Sequence, residues 1–269
     1  MLKLTHRAPS NIPLELVGIT PERVAGLSPL EVARLPVLHG NRSEPLGEFF
    51  EVKLDRDRLA DLHFAGDTRH VKHIGADMTI GSVFAEGPVG LHAGAGMRGG
   101  SLILDSDAAG WLGAEMKGGY IEVRGDAGDQ AGAAYRGSRR GMTGGTIVIR
   151  GSTGDELGLL MRRGLIAVEG NCGEFAGASM IAGTLVLLGE VGERCGAGMK
   201  RGTILTAREP LLPPSFHYSC DYRPAFVPML LAELSKLHID LTPAFGASVK
   251  CFRGDLLTGG NGEILVGCP

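Results

Sequence analysis

Between about Thr68 and Thr206 one 19-residue pattern comes round seven times, and a period of that length admits few folds. Its clearest copy is Gly87-Pro88-Val89-Gly90-Leu91-His92-Ala93-Gly94-Ala95-Gly96-Met97-Arg98-Gly99-Gly100, followed by Ser101-Leu102-Ile103-Leu104. In skeleton form it reads G-x2-G-x3-G-x2-M-x2-G-x-[IVL]-x-[VL]. Met78, Met97, Met116, Met142, Met161, Met180 and Met199 mark the register. Every step is 19 residues except the 26 from Met116 to Met142, where Tyr135-Arg136-Gly137-Ser138-Arg139-Arg140-Gly141 is inserted.

A unit this short holds neither a helix-turn-helix nor a propeller blade, and it buries its apolar face only against its neighbours. Each unit ends in an alternating apolar pair: Leu102/Leu104, Ile121/Val123, Ile147/Ile149, Ile166/Val168, Leu185/Leu187 and Ile204/Thr206. That period of two is strand. The glycines supply positive φ at corners and let backbones approach closely. The pattern therefore predicts a mainly β fold, a β-helix in which each unit is one coil and equivalent residues stack about 4.8 Å apart. The methionine column lies inside, where a flexible thioether adapts to a narrow interior. The intervening outward positions should be polar, yet they read Phe84, Ile103, Val148, Ala167, Val186 and Leu205, with Glu122 the charged exception. A sheet apolar on both faces has both covered, so either the chain's own ends or another protein packs there.

Residues 1–65 read as an α/β lead-in, 66–206 as the repeat and 207–269 as a C-terminal extension. Leu2 to Thr5 and Phe49 to Leu54 suit strands, and Leu62 to Phe64 leads into the first coil. Ser28-Pro29-Leu30-Glu31 is a capping box that opens a helix toward Leu38. Beyond the stiff Pro210, Pro213 and Pro214, Ala225 to Leu237 is helical in pattern, with Phe226, Leu230, Leu234 and Leu237 on one side. This helix is expected on the apolar outer face. Val249 to Leu265 reads as a hairpin turning at Gly259-Gly260-Asn261-Gly262.

A net charge of −3 gives no bulk attraction to nucleic acid or to a membrane surface. There is no leader with a basic start and apolar core, and no run of 18 apolar residues. The five cysteines (Cys172, Cys195, Cys220, Cys251 and Cys268) show no C-x-x-C spacing and share no column, which suits reduced thiols in a cytoplasm.

Motifs for chemistry are few. Gly94-x-Gly96-x-x-Gly99 satisfies the dinucleotide fingerprint, but a strand follows it where that fingerprint needs a helix. His73 and His92 stand one period apart and should stack. Their column continues with Trp111, Gln130, Glu156, Phe175 and Arg194, which is no ligand set, so no metal site is expected. No cysteine has a histidine partner in the sequence pattern, and no catalytic residue stands out. The informative column is the one after each methionine, where Arg98, Lys117, Arg162 and Lys200 fall, joined by Arg136, Arg139 and Arg140 of the insertion. Stacked like charges repel by about 1 kcal/mol per close pair even in water. The column is either a solvated face or a rail for a carboxylate-rich ligand or acidic surface.

The G-x2-G-x3-G coil resembles the GXGXG domain, a right-handed single-stranded β-helix shared by the C-terminal domain of glutamate synthase large subunits and the C subunit of formylmethanofuran dehydrogenases. The resemblance covers roughly residues 66–206. The flanking segments suit a free-standing C subunit, of the molybdenum or tungsten dehydrogenase in archaea or of the formyltransferase/hydrolase complex in methylotrophic bacteria. The latter moves formyl from tetrahydromethanopterin to a methanofuran-like carrier and releases formate. Most of the 27 basic residues are Arg, and Ala and Gly are abundant, as in GC-rich genomes, which favours the bacterial version. The resemblance implies chemistry on partner subunits A, B and D, with zinc and the carrier there, and a scaffold role for this chain. The carrier's glutamate-rich tail becomes the expected ligand of the basic column. A stand-alone glutamate-synthase-type subunit is an alternative. So is a self-contained β-helix enzyme, against which stand the 5% aromatic content, the single Trp111 and the lack of a six-residue period.

Overall fold

The computed structural model describes residues 1–7, 12–239, 242–245 and 248–267. The protein is mainly β, with one thirteen-stranded sheet, a four-stranded sheet and a few short helices. Each repeat gives the large sheet one short strand: Ser82–Ala85, Ser101–Leu104, Tyr120–Val123, Thr146–Ile149, Leu165–Val168, Thr184–Leu187 and Arg201–Thr206. Successive strands pair in parallel with the repeat offset, so Val83, Leu102, Ile121, Ile147, Ile166, Leu185 and Ile204 form one column. A second parallel ladder of single bridges runs Thr68, Val89, Ala108, Ala127, Thr153, Cys172 and Val191. The 26-residue step interrupts neither ladder.

All seven register methionines are fully buried. Five of the thioether methyls lie over a glycine of the following repeat: Met97 over Gly119, Met116 over Gly145, Met142 over Gly164, Met161 over Gly183 and Met180 over Gly202. At Gly119 a Cβ would stand 2.7 Å from Met97 Cε, and φ is +92°, so only glycine fits on both counts. Glycine does not, however, supply all the positive φ. His73, His92, Trp111, Gln130, Glu156, Phe175 and Arg194 form a column in which every residue has φ between 59° and 67°.

The flanks join the same sheet. Leu2–His6 pairs parallel with Leu62–Ala65 and antiparallel with Phe50–Leu54, closing one end. At the other end Asn261–Gly267 adds in parallel to Arg201–Thr206, placing Ile264 on Ile204. The expected hairpin is present as Val249–Gly254 paired with Asn261–Gly267, and an unanticipated strand, His217–Tyr222, pairs outside it. The Ser28 capping box forms as read, but its helix ends at Ala33 and does not reach Leu38. Pro36 opens a strand, Pro36–His39, which pairs with Arg42–Pro45 in the smaller sheet. Proline disfavours a helical residue before it.

The outer apolar positions are covered in part by the chain itself. Val148, Ala167, Val186 and Leu205 form one cluster with Leu265 and with Val227 and Leu234 of the helix Val227–Lys236. Glu122 is accounted for by Arg150, whose Nε and Nη2 donate to its carboxylate at 3.0 and 2.9 Å. The same guanidinium donates to Glu169 at 2.6 Å and to the Leu237 carbonyl at 2.6 Å, tying the helix C-terminus to the sheet. Phe84, nearer the start of the stack, packs edge-on against the buried His63 ring, 5.3 Å between centroids.

Candidate functional site

Backbone pairing fixes the basic column. The amide of the residue after each methionine donates to the carbonyl of the preceding repeat's methionine: Arg98 to Met78, Lys117 to Met97, Arg162 to Met142 and Lys200 to Met180. Arg98, Lys117 and Lys200 are exposed and Arg162 is half-buried; Arg136, Arg139 and Arg140 are exposed on the inserted loop. No salt bridge joins any of these seven to a carboxylate among the described residues. The column is interrupted by Thr143 and Ile181, so its charges do not run unbroken.

The structure concentrates three of the seven. Lys117, Arg139 and Arg140 line a cleft of about 410 Å³ with Glu115, Ser138, Gly141 and Thr143. A neighbouring hollow of about 220 Å³ shares Glu115 and Lys117 and is walled by His73, Asp77 and Tyr135. The inserted loop makes this juxtaposition, because the Tyr135 amide donates to Glu115 Oε1 at 3.2 Å.

The wall is a stack of rings. His73 and His92 lie face to face, 4.8 Å between centroids and 15° from parallel. Trp111 follows, and Tyr135 stacks on it at 4.9 Å while its hydroxyl reaches His92 Nδ1 at 3.0 Å. Burial, then the neighbouring His73 and Lys72, lowers His92 to about 4. Burial also lowers His73 and, with Glu115 and Asp77 nearby, pushes Tyr135 up to about 12. At neutral pH the imidazoles and the phenol are uncharged, so cationic character here belongs to Lys117, Arg139 and Arg140. Further along the column, the Arg194 guanidinium sits 5.0 Å from the Phe175 ring centroid.

The sequence reading missed another column of the repeat. Asp107 accepts from the Asp126 amide, Asp126 from Ser152, Ser152 from Asn171 and Asn171 from Glu190, at 2.7–3.1 Å. Asp129 and Asp155 make a second such ladder. These acids tie one repeat to the next, and the regular spacing of Asp, Ser and Asn after each strand was the signal. Among the described residues no group of three or more His, Cys, Asp or Glu side chains is placed to hold a metal, and no helix is long and apolar enough to cross a membrane. The Gly94-x-Gly96-x-x-Gly99 segment leads into the strand Ser101–Leu104.

No family model matches the chain. A 92-residue stretch, 33% of the chain, is 39% identical to the C subunit of tungsten-containing formylmethanofuran dehydrogenase 2 of Methanothermobacter thermautotrophicus and covers 34% of that protein. An 85-residue stretch is 41% identical to the C subunit of molybdenum-containing formylmethanofuran dehydrogenase 1 of Methanosarcina barkeri, covering 30% of this chain and 28% of that one. The chain thus spans about a third or less of the length of these curated relatives. A chain in the crystal structure of the formyltransferase/hydrolase complex (FhcABCD) from Methylorubrum extorquens in complex with methylofuran matches end to end. Its TM-score is 0.92 at 35% identity, over 99% of this chain and 100% of that one. With a full-length match in fold and a repeat region shared with the archaeal proteins, the chain belongs to the C-subunit family of formyltransferase/hydrolase complexes and formylmethanofuran dehydrogenases.

Proposed function

We propose that this chain is the non-catalytic scaffold subunit of a multi-subunit formyltransferase/hydrolase complex. In that complex formyl passes from formyl-tetrahydromethanopterin to a methanofuran-like carrier and leaves as formate. The observation that carries this reading is the end-to-end likeness to a chain of such a complex at 35% identity. Subunits A, B and D are its partners in the cytoplasm, and zinc and the carrier's reacting end belong to them. We read the stack as about seven coils of a right-handed single-stranded β-helix over 66–206, flanked by 1–65 and 207–269. The two parallel ladders at the repeat offset support that reading. Arg98, Lys117, Arg136, Arg139, Arg140, Arg162 and Lys200 then hold or guide the carrier's polyglutamate tail, supported by the three cations that line one cleft.

Affinity purification of the tagged chain from its source organism tests the scaffold role. Larger subunits should co-purify, with formyl-transfer activity in the assembly and none in the separated chain. Turnover by the chain alone would overturn it. For the tail, charge reversal at Lys117 and Arg162 should weaken carrier retention by about tenfold and flatten its salt dependence. Unchanged retention would remove the basic column from the reading while leaving the scaffold role intact. The archaeal-type dehydrogenase is the second reading, favoured by the 39–41% identity of the repeat region to those proteins. Molybdenum or tungsten in the purified assembly would decide for it.

A further inference from the structure

The cysteines take no part in the function proposed above, and the structure sorts the four described ones into two pairs. Cys172 and Cys195 are buried, and burial raises both thiols, Cys195 to about 12. Such thiols are poor nucleophiles. Burial raises the Cys251 thiol as well, but Cys220 and Cys251 are arranged differently. They are directly opposed partners in the antiparallel pair formed by His217–Tyr222 and Val249–Gly254, and both thiols are free. Opposed residues in such a pair hold their Cα atoms about 4.5–5.5 Å apart, inside the roughly 4.4–6.8 Å range that a disulfide spans. The register slips between Tyr218 and Cys220, so the bulge falls beside Cys220. Cys220 is exposed on the outermost strand, whereas Cys251 is 1% exposed and packed in the cluster under the helix Val227–Lys236. An accessible thiol thus faces a protected one.

We propose that Cys220 and Cys251 are a reversible redox pair, closed into a disulfide by a hydroperoxide. The Cys220 sulfur attacks the peroxide oxygen, the O–O bond breaks, and with hydrogen peroxide one water leaves, giving a sulfenic acid. The Cys251 sulfur then attacks the Cys220 sulfur, the S–O bond breaks, and the departing hydroxide takes the Cys251 proton as a second water. The two thiols lose two electrons and two protons, and the peroxide gains them. A dithiol reverses the step by exchange.

The position of the pair gives the bond a consequence. The chain between the two cysteines includes the helix Val227–Lys236, which covers Val148, Ala167, Val186 and Leu205 and whose end is held by Arg150. Closing that loop restricts the chain when the helix is undocked, so oxidation holds the cover on the sheet. This inference is independent of the scaffold reading and of the basic column.

The test uses the full chain, alone and in its purified assembly, treated with stoichiometric hydrogen peroxide. Differential alkylation and mass spectrometry should find a Cys220–Cys251 cross-linked peptide lacking two hydrogens. Amide exchange in 227–236 should slow, and Tm should rise by about 5 °C, with reversal by dithiothreitol. Cys220→Ser changes an exposed side chain, so it should fold normally and lose all three responses, while Cys172→Ser should keep them. Oxidation of Cys220 to a sulfinic acid, or its linkage to Cys268 or to a second chain with Cys251 still alkylable, would overturn the pair. A Cys220–Cys251 bond without slower exchange in 227–236 would overturn its holding role.

Discussion

The hydroxyl of Tyr135 lies 3.0 Å from Nδ1 of His92, so a residue of the inserted loop reaches back past the Trp111 repeat to the His92 repeat. With Tyr135 raised to about 12 and His92 lowered to about 4, both are neutral near pH 7, and the imidazole tautomer sets which of them donates. That bond and the Trp111 stack fix the base of the loop that carries Arg139 and Arg140. The basic cleft therefore depends on an aromatic anchor.

Tyr135→Phe keeps the ring and removes the hydroxyl that meets His92 Nδ1. The His92 titration midpoint, read from its imidazole resonances, should rise by roughly half a pH unit where the phenol is the donor and fall where Nδ1–H donates to it. Exchange of the 136–140 amides should quicken, because the loop keeps only its stacking and the Glu115 contact.

His92 also sets a pH window. Its folded pKa is depressed from 6.5 to about 4, so the unfolded chain binds more protons between those values. Its contribution to stability is present above about pH 6.5 and is lost as pH falls toward 4. His92→Asn keeps a side chain that tolerates the +67° φ and removes the titration. The slope of denaturant stability against pH over that window should become shallower.

The methionine-over-glycine contact separates backbone strain from steric overlap. Gly119→Ala places a methyl 2.7 Å from Met97 Cε and 2.9 Å from the Gly100 carbonyl oxygen and should cost about 3 kcal/mol. Gly26 has a similar positive φ with nothing within 4 Å of a Cβ, so Gly26→Ala should cost only about 1 kcal/mol. Equal losses in urea unfolding would mean that the thioether and the Gly100 carbonyl both move aside freely.

Arg150 joins sheet and helix through Glu122, Glu169 and the Leu237 carbonyl. Arg150→Ala leaves Glu169 and the helix end without this donor and Glu122 with only the Tyr120 hydroxyl, and should destabilise by about 2–4 kcal/mol. Leu234→Ala, at a fully buried site on the helix, should cost a similar 2–4 kcal/mol through its cavity. Both variants should bind more of an apolar dye, because the covered face opens.

The period of the repeat, the inward columns, the buried methionines and the shared column of Arg98, Lys117, Arg162 and Lys200 were all legible in the sequence. Each unit restates the same local pattern, so alignment of the copies gives the register directly. The convergence of Lys117 with Arg139 and Arg140 was not legible, because the insertion interrupts the repeat and its course follows from Tyr135 meeting Trp111, His92 and Glu115. The positive-φ column of His92, Trp111 and Phe175 was hidden for a related reason: glycine is the usual marker for that conformation, and stacking stabilises bulkier residues there instead.

Taken alone, the sequence determined how the interior of the stack repeats and which residues share a face. Tertiary structure decided how the stack ends and what covers it. Ile264 continues the column of Ile204, Cys220 meets Cys251, and Leu234 lies in one apolar cluster with Val186. Those contacts join residues separated by tens of positions without a shared period. Local propensity is equally content with several partners for them, and only the packing of the whole chain selects one.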